Sequence, residues 1–155
     1  MQSQTGIPVA GSLAAANHIK DKEGFVSNEL RVGLAGEAHS TVDDTRSAQA
    51  MGSGDVPVFA TPAMIALMEE AATNALRPAL AAGQTSVGVR VDVRHLSATP
   101  IGALVRAQAR VTQVEGRRIS FRVTADDGSE TIGEGLHERM IVDRERFIQR
   151  TQSKR

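Results

Sequence analysis

The sequence predicts an α+β fold in which an antiparallel sheet wraps around one long helix. Three observations predict it. One segment, residues 61–79, repeats its apolar residues at helical spacing. Four segments after it alternate apolar and polar residues with the period of a strand. The joints between those strands are short and rich in turn residues, so neighbours in sequence pair as antiparallel neighbours in space.

The elements follow in order. Residues 1–28 mix Gln, Ser, Gly, Ala and Asn without periodicity and read as a mobile extension, helical at most near Ala14 to Ile19. Residues 29–143 form the folded domain, and 144–155 a charged tail with a short helix. Leu30 to Val42 is a first strand, weakened by Gly33 and Gly36. Asp43 to Asp55 is polar and Gly-rich and reads as a flexible loop. Thr61-Pro62 marks a helix start, with Thr61 as N-cap and Pro62 in the first turn. Met64, Ile65, Met68, Ala71, Ala72, Ala75, Leu76 and Ala79 then make one apolar stripe. Glu70 projects away from the stripe, whereas Glu69 lies on its edge. Pro78 and Gly83 end or kink the helix.

Val87, Val89, Val91, Val93 and His95 share one face of the next strand, with Arg90, Asp92 and Arg94 on the other. Pro100 to Gly102 turns the chain. Val105, Ala107, Ala109 and Val111 alternate with polar neighbours, and so do Ile119, Phe121, Val123 and Ala125 after the Glu115-Gly116 turn. Asp127-Gly128 is a hairpin signal leading into a last strand, Glu130 to Val142.

Composition removes several function classes. The chain has 155 residues, 18 of them basic and 18 acidic, so its charge balance does not point to nucleic acid or a membrane surface. The basic set is mostly arginine, whose planar fork suits phosphate. With no Cys, thiolate metal sites and a cysteine nucleophile are excluded. The four His residues show no metal-ligand spacing, and no Gly-rich phosphate loop is present, so neither metal nor cofactor is expected. No apolar run is long enough for a membrane span. Gly6 to Ala16 is short, weakly apolar and not preceded by a basic residue, unlike a signal peptide, and a cytoplasmic place is expected.

Four local motifs carry a family resemblance. Val58-Phe59-Ala60-Thr61, followed by Met64 and Leu67-Met68-Glu69, resembles the helix entrance of the fluoroacetyl-CoA thioesterase group of hot-dog-fold acyl-CoA thioesterases. His95-x-x-Ala98-Thr99-Pro100 resembles that group's histidine strand. Val114-Glu115-Gly116-Arg117-Arg118 resembles its hairpin, and Gly135-x-His137-Glu138-Arg139 its last strand. The resemblance spans about residues 30–147 with the motifs in the same order. It implies a hot-dog fold, a homodimer, and hydrolysis of a small acyl-CoA to free acid and coenzyme A. It also implies that Thr61, Glu69 and His95 are catalytic, with Gly88, Arg139 and Phe59 around the substrate. The chain departs from the group at Gly52-Ser53-Gly54-Asp55-Val56, where the group carries bulky aromatic residues that lid the pocket. The resemblance therefore implies hydrolysis without implying selectivity for a fluorinated acetyl group.

These residue types suit the chemistry. Thioester hydrolysis needs an attacking oxygen, a proton acceptor and donors for the oxyanion. A core-edge position would desolvate Glu69 and fit it as base or nucleophile. His95 exchanges protons near neutral pH, and Thr61 stands where helix N–H groups are free. Taken singly, each has a plainer reading: Thr61 as a cap, Glu69 as a solvated helix charge, His95 as a core histidine. Arg139 reads as an ion-pair partner of Glu138 or Asp92, and His137 has no evident partner. Arg117 and Arg118 read as a solvated hairpin rim more readily than as phosphate ligands. Eight residues of ideal helix rise about 12 Å, so Thr61 and Glu69 of one helix cannot touch. Either the helix begins after Thr61, or a second subunit supplies one of the pair. The alternative functions are a non-catalytic acyl-CoA-binding module and a hot-dog enoyl-CoA hydratase or dehydratase. The latter needs an Asp/His pair that is not seen here.

Overall fold

In the computed structural model, which describes residues 29–155, the chain runs through eight named elements. They are β1 (Ala35–Thr41), α1 (Ala48–Met51), α2 (Thr61–Leu76), β2 (Gln84–His95), β3 (Leu104–Glu115), β4 (Arg118–Asp126), β5 (Thr131–Asp143) and α3 (Arg144–Gln152). The expected extension, residues 1–28, lies outside the described residues. No described helix is long and apolar enough to cross a membrane.

The five described strands form one antiparallel sheet in the order β1-β3-β4-β5-β2, so the expected pairing of sequence neighbours holds for β3-β4-β5 but not for β2, which crosses to the edge beside β5 because α2 packs on β1 and β3. α2 packs on the concave side, mainly against β1 and β3. Its buried side chains are Ala63, Met64, Leu67, Met68, Ala71, Ala72, Ala75 and Leu76. They meet Val105, Ala107, Ala109, Val111, Ile119, Phe121, Val123 and Ala125, the inward residues of β3 and β4. Strict alternation on those two strands therefore gives the sheet face that was expected. Full burial of each large apolar side chain here contributes about 1.5–3 kcal/mol. Ile65, assigned to the stripe, is partly exposed, and Leu67 takes the buried place.

Gly36 sets the spacing between helix and sheet. A Cβ there would strike Ala71 O and Ala75 N and lie 2.9 Å from Ala75 Cα. The residue that seemed to weaken β1 is the one that lets it touch the α2 backbone. The helix start also differs from expectation. Ala60 is the N-cap, with no side-chain cap hydrogen bond, and Thr61 is the first helical residue. The Thr61 hydroxyl is thus free for another partner. At the other end α2 stops at Leu76, and Pro78 sits in a 3-10 turn, Arg77–Ala79.

Two further expectations are corrected. The Gly-rich run after β1 is not all loop. Asp43 caps a 3-10 turn, Asp44–Arg46, and Ser47 caps α1, whose C-cap Gly52 has φ 69°. In β2 the five-residue apolar face does not exist as one face. A register shift between Gly88 and Arg90 breaks the alternation, and Val89 and Val91 are 51% and 40% exposed. Among the described residues β2 is a sheet edge, and none of them covers that stretch.

Candidate active site

Two clusters of polar side chains stand against α2. The first is at its N-terminus. Thr61 Oγ1 lies 2.7 Å from His95 Nδ1, at the far end of β2. The contact forms because β2 runs past the helix start and because Ala60, not Thr61, occupies the cap. Burial is the main influence on the imidazole and lowers its pKa, with the Ser97 backbone partly opposing. His95 therefore stays neutral, ready to accept a proton. Its Nε2 is buried and makes no hydrogen bond among the described residues.

The second cluster is two turns along. Arg139 on β5 is buried and its guanidinium is held on three sides. Nε donates to Ser86 Oγ at 2.9 Å and Nη2 to the Ser86 carbonyl at 3.0 Å. Nη1 donates to Glu69 Oε2 at 3.0 Å. The expected mate of Arg139 was Glu138 or Asp92. Instead Glu138 faces Arg90 and Arg118 from the other side of the sheet, and Asp92 faces Arg90. Side-chain alternation sends residues 137 and 139 inward and 138 outward. Glu69 thus meets a guanidinium, not the apolar wall expected for it.

His137 completes this cluster, and sequence reasoning left it without a partner. Its Nδ1 is 2.8 Å from the Arg90 carbonyl, which only accepts, so Nδ1 carries the proton. Nε2 is then an acceptor and takes a hydrogen bond from Arg139 Nη1 at 3.2 Å. Nε2 is also 3.8 Å from Glu69 Oε2. That separation is not an ion pair, because burial, aided by Arg139, lowers the pKa of His137 and keeps the ring neutral. Phe121 stacks on the ring at 6.0 Å. The same burial lowers the pKa of Arg139, an effect opposed by Glu69. The available signal was the i, i+2 spacing of His137 and Arg139, which puts both on one strand face. Ser86 gave no such signal.

Gly88 faces this cluster across the register pair Gly88↔Arg139. A Cβ there would fall within hard contact of Glu69 Oε2. Of the residues expected around the site, the fold therefore gathers Thr61 with His95, and Glu69 with Gly88 and Arg139. It keeps the two groups apart, because an unbroken helix separates Thr61 from Glu69. The first remedy considered above, a helix beginning later, does not occur. Phe59 is the exception among them. It is 1% exposed and packed in the core, leaving it no surface for a substrate within this protomer.

The curled antiparallel sheet around a central helix is the architecture of the hot-dog thioesterases. A Thermus thermophilus member of the thioesterase superfamily has the same fold. It superposes with a TM-score of 0.73 at 29% identity, over 80% of this chain and 94% of that one. The family model for fluoroacetyl-CoA-specific thioesterase matches residues 42–145. The fluoroacetyl-CoA thioesterase of Streptantibioticus cattleyicolor is 44% identical over 97 residues, 63% of this chain and 70% of the relative. A solved threonine-to-serine variant of the fluoroacetyl-CoA thioesterase FlK, in complex with acetyl-CoA, gives a TM-score of 0.77 at 35% identity. That match covers 81% of this chain and 98% of the other. The chain belongs to the fluoroacetyl-CoA-specific thioesterase family.

Proposed function

We propose that the protein hydrolyses a small acyl-CoA thioester, fluoroacetyl-CoA or another short acyl-CoA, at a site shared by two copies of the chain. Thr61 and His95 come from one protomer and Glu69 from its partner. The observation that carries this reading is the 2.7 Å contact between Thr61 Oγ1 and His95 Nδ1. When the hydroxyl donates to Nδ1, the neutral ring carries its proton on Nε2, the buried nitrogen without an acceptor. Leaving such a group unpaired costs about 1–3 kcal/mol. A carboxylate there would satisfy it and stabilise the imidazolium formed during reaction.

The edge strand supports the shared site. Among the described residues β2, twelve residues long, has one unpaired side and exposes Val89 and Val91. Antiparallel pairing of β2 with β2 of a second copy, centred between Val91 and Asp92, sets Gly88 against His95 of the partner subunit. Gly88 is where Glu69 reaches the strand. The same pairing covers the exposed valines and brings the two half-sites together twice per dimer. The relatives whose names specify fluoroacetyl-CoA, and the variant in complex with acetyl-CoA, support the substrate class.

The reaction then follows from proton positions. The oxygen that attacks the thioester carbonyl, Thr61 Oγ1 or a water beside it, gives its proton to His95 Nδ1 as the C–O bond forms. The oxyanion develops near the α2 N-terminus, whose N-cap offers no side chain to occupy its N–H groups. Collapse breaks the C–S bond, and the proton held by His95 passes to the departing thiolate. If Thr61 attacks, water repeats the cycle on the acyl-threonine. The test is thiol release from fluoroacetyl-CoA and acetyl-CoA. Thr61→Ala and His95→Ala each should lower kcat by about 10²–10⁴. Mixing inactive Thr61→Ala and Glu69→Ala chains should restore activity at one site per mixed dimer; no recovery would rule out the shared site.

A further inference from the structure

We propose that the cleft at the C-terminal end of α2 holds the phosphate-bearing end of coenzyme A. This rests on the thioesterase reading above and deepens it. The cleft has a volume of about 460 Å³ and lies between the end of α2, the start of β2 and the first residue of α3. Its inner wall adjoins the Glu69–Arg139 cluster through Ser86 and Thr73. Ser86 grips the Arg139 guanidinium, and Thr73 donates its hydroxyl to the Glu69 carbonyl at 3.0 Å. Its outer rim carries Arg77 and Arg144, with Gln84 and Thr85 between them and Ser86.

Both rim arginines are exposed, and neither takes part in an ion pair among the described residues. Arg139, by contrast, uses four of its five N–H donors on Ser86, Glu69 and His137 and has no fork left for a ligand. The backbone of Arg144 is anchored to the rim: Arg144 N donates to the Gly83 carbonyl at 2.9 Å, which ties α3 to the loop after α2. Arg77 is eight residues beyond Glu69, about 12 Å along the helix. An extended pantetheine arm bridges such a gap between a thioester at Glu69 and a diphosphate at the rim. Two unpaired guanidinium forks lining one cleft match phosphate oxygens in charge and in fork geometry. The hydroxyl and amide groups between them suit the amide-bearing arm.

A second arginine-lined cleft, of about 470 Å³ with Arg117, Arg146 and Arg150, borders α3 and β5 but includes no residue of the catalytic cluster. It is the natural control. KM and kcat are measured for acetyl-CoA and for acetyl-pantetheine with wild type, Arg77→Ala, Arg144→Ala and Arg150→Ala. Free coenzyme A is titrated calorimetrically into each protein. Arg77→Ala and Arg144→Ala should each raise KM for acetyl-CoA and Kd for coenzyme A about tenfold. Their kcat, and KM for acetyl-pantetheine, should stay at the wild-type values, and Arg150→Ala should change nothing. The proposal is overturned if coenzyme A affinity is unchanged in both rim variants, if both thioesters suffer equally, or if Arg150→Ala alone weakens binding. A wild type that binds coenzyme A through Arg77 and Arg144 yet releases no thiol would sink the thioesterase reading and leave the cleft assignment standing. Hydrolysis with unchanged affinity in the rim variants would do the reverse.

Discussion

Gly88→Ala isolates the position of the Glu69 carboxylate. Gly88 has no positive φ, so alanine fits its backbone without strain. The added Cβ would sit within hard contact of Glu69 Oε2, 3.3 Å from His137 Cε1 and 3.5 Å from Arg139 Nη1. The worst clash is with the end of a flexible side chain that is 39% exposed, so Glu69 yields and the strand does not. Restoring van der Waals contact requires a retreat of about 1 Å, a misplacement that costs on the order of a hundredfold in rate. That is about 2.7 kcal/mol in the barrier. Stability changes little. Alanine restricts the unfolded chain and contributes about 0.4–1 kcal/mol. This offsets a weakened Arg139–Glu69 bond, itself discounted because Glu69 is partly solvated. The assay pairs initial rates of thiol release with a thermal melt. A kcat within about threefold of wild type would refute the claim that Glu69 must stand against Gly88. A collapse of Tm would refute the claim that the side chain gives way.

Other consequences follow from particular residues. Gly36→Ala should destabilise the fold by about 1–3 kcal/mol, because its Cβ meets the α2 backbone and neither side can yield; chemical denaturation measures it. Val91→Lys places a charge on the unpaired edge. It should shift the protein to monomer in sedimentation and lower kcat at least tenfold, while the far-UV spectrum stays unchanged. His95 and His137 are both held below the ordinary histidine value of 6.5 by burial. Below that value the unfolded chain takes up protons that the folded chain refuses, so stability is full above it and falls as pH drops toward the folded values. Tm measured between pH 7.5 and 5 should show this fall, and His137→Gln should reduce its slope.

Much of this protein was legible in its sequence. The alternation in β3 and β4 and the spacing of Met64, Met68, Ala71, Ala72 and Ala75 dictate which faces are buried, because side-chain direction follows from backbone period alone. Turn residues such as Asp127-Gly128 fix the order of hairpins. These are local rules, and they determined the helix, the β3-β4-β5 hairpins and the layering, but not the pairing of β2 with β5 and of β1 with β3. Partnership was a different matter. Whether Arg139 would face Glu138, Asp92 or Glu69 depended on the meeting of β5 with α2, seventy residues away in the chain. His137 acquired its role only through the Arg90 carbonyl and the Arg139 guanidinium, neither of which periodicity can align with it. The register shift after Gly88, which exposes Val89 and Val91, left no mark in the apolar pattern because valine suits a buried face and an edge equally. Backbone period was enough to specify strands layered on α2. Long-range packing alone brings Thr61 to His95 and Glu69 to Arg139, because helix rise keeps residues two turns apart from touching however well their chemistry matches.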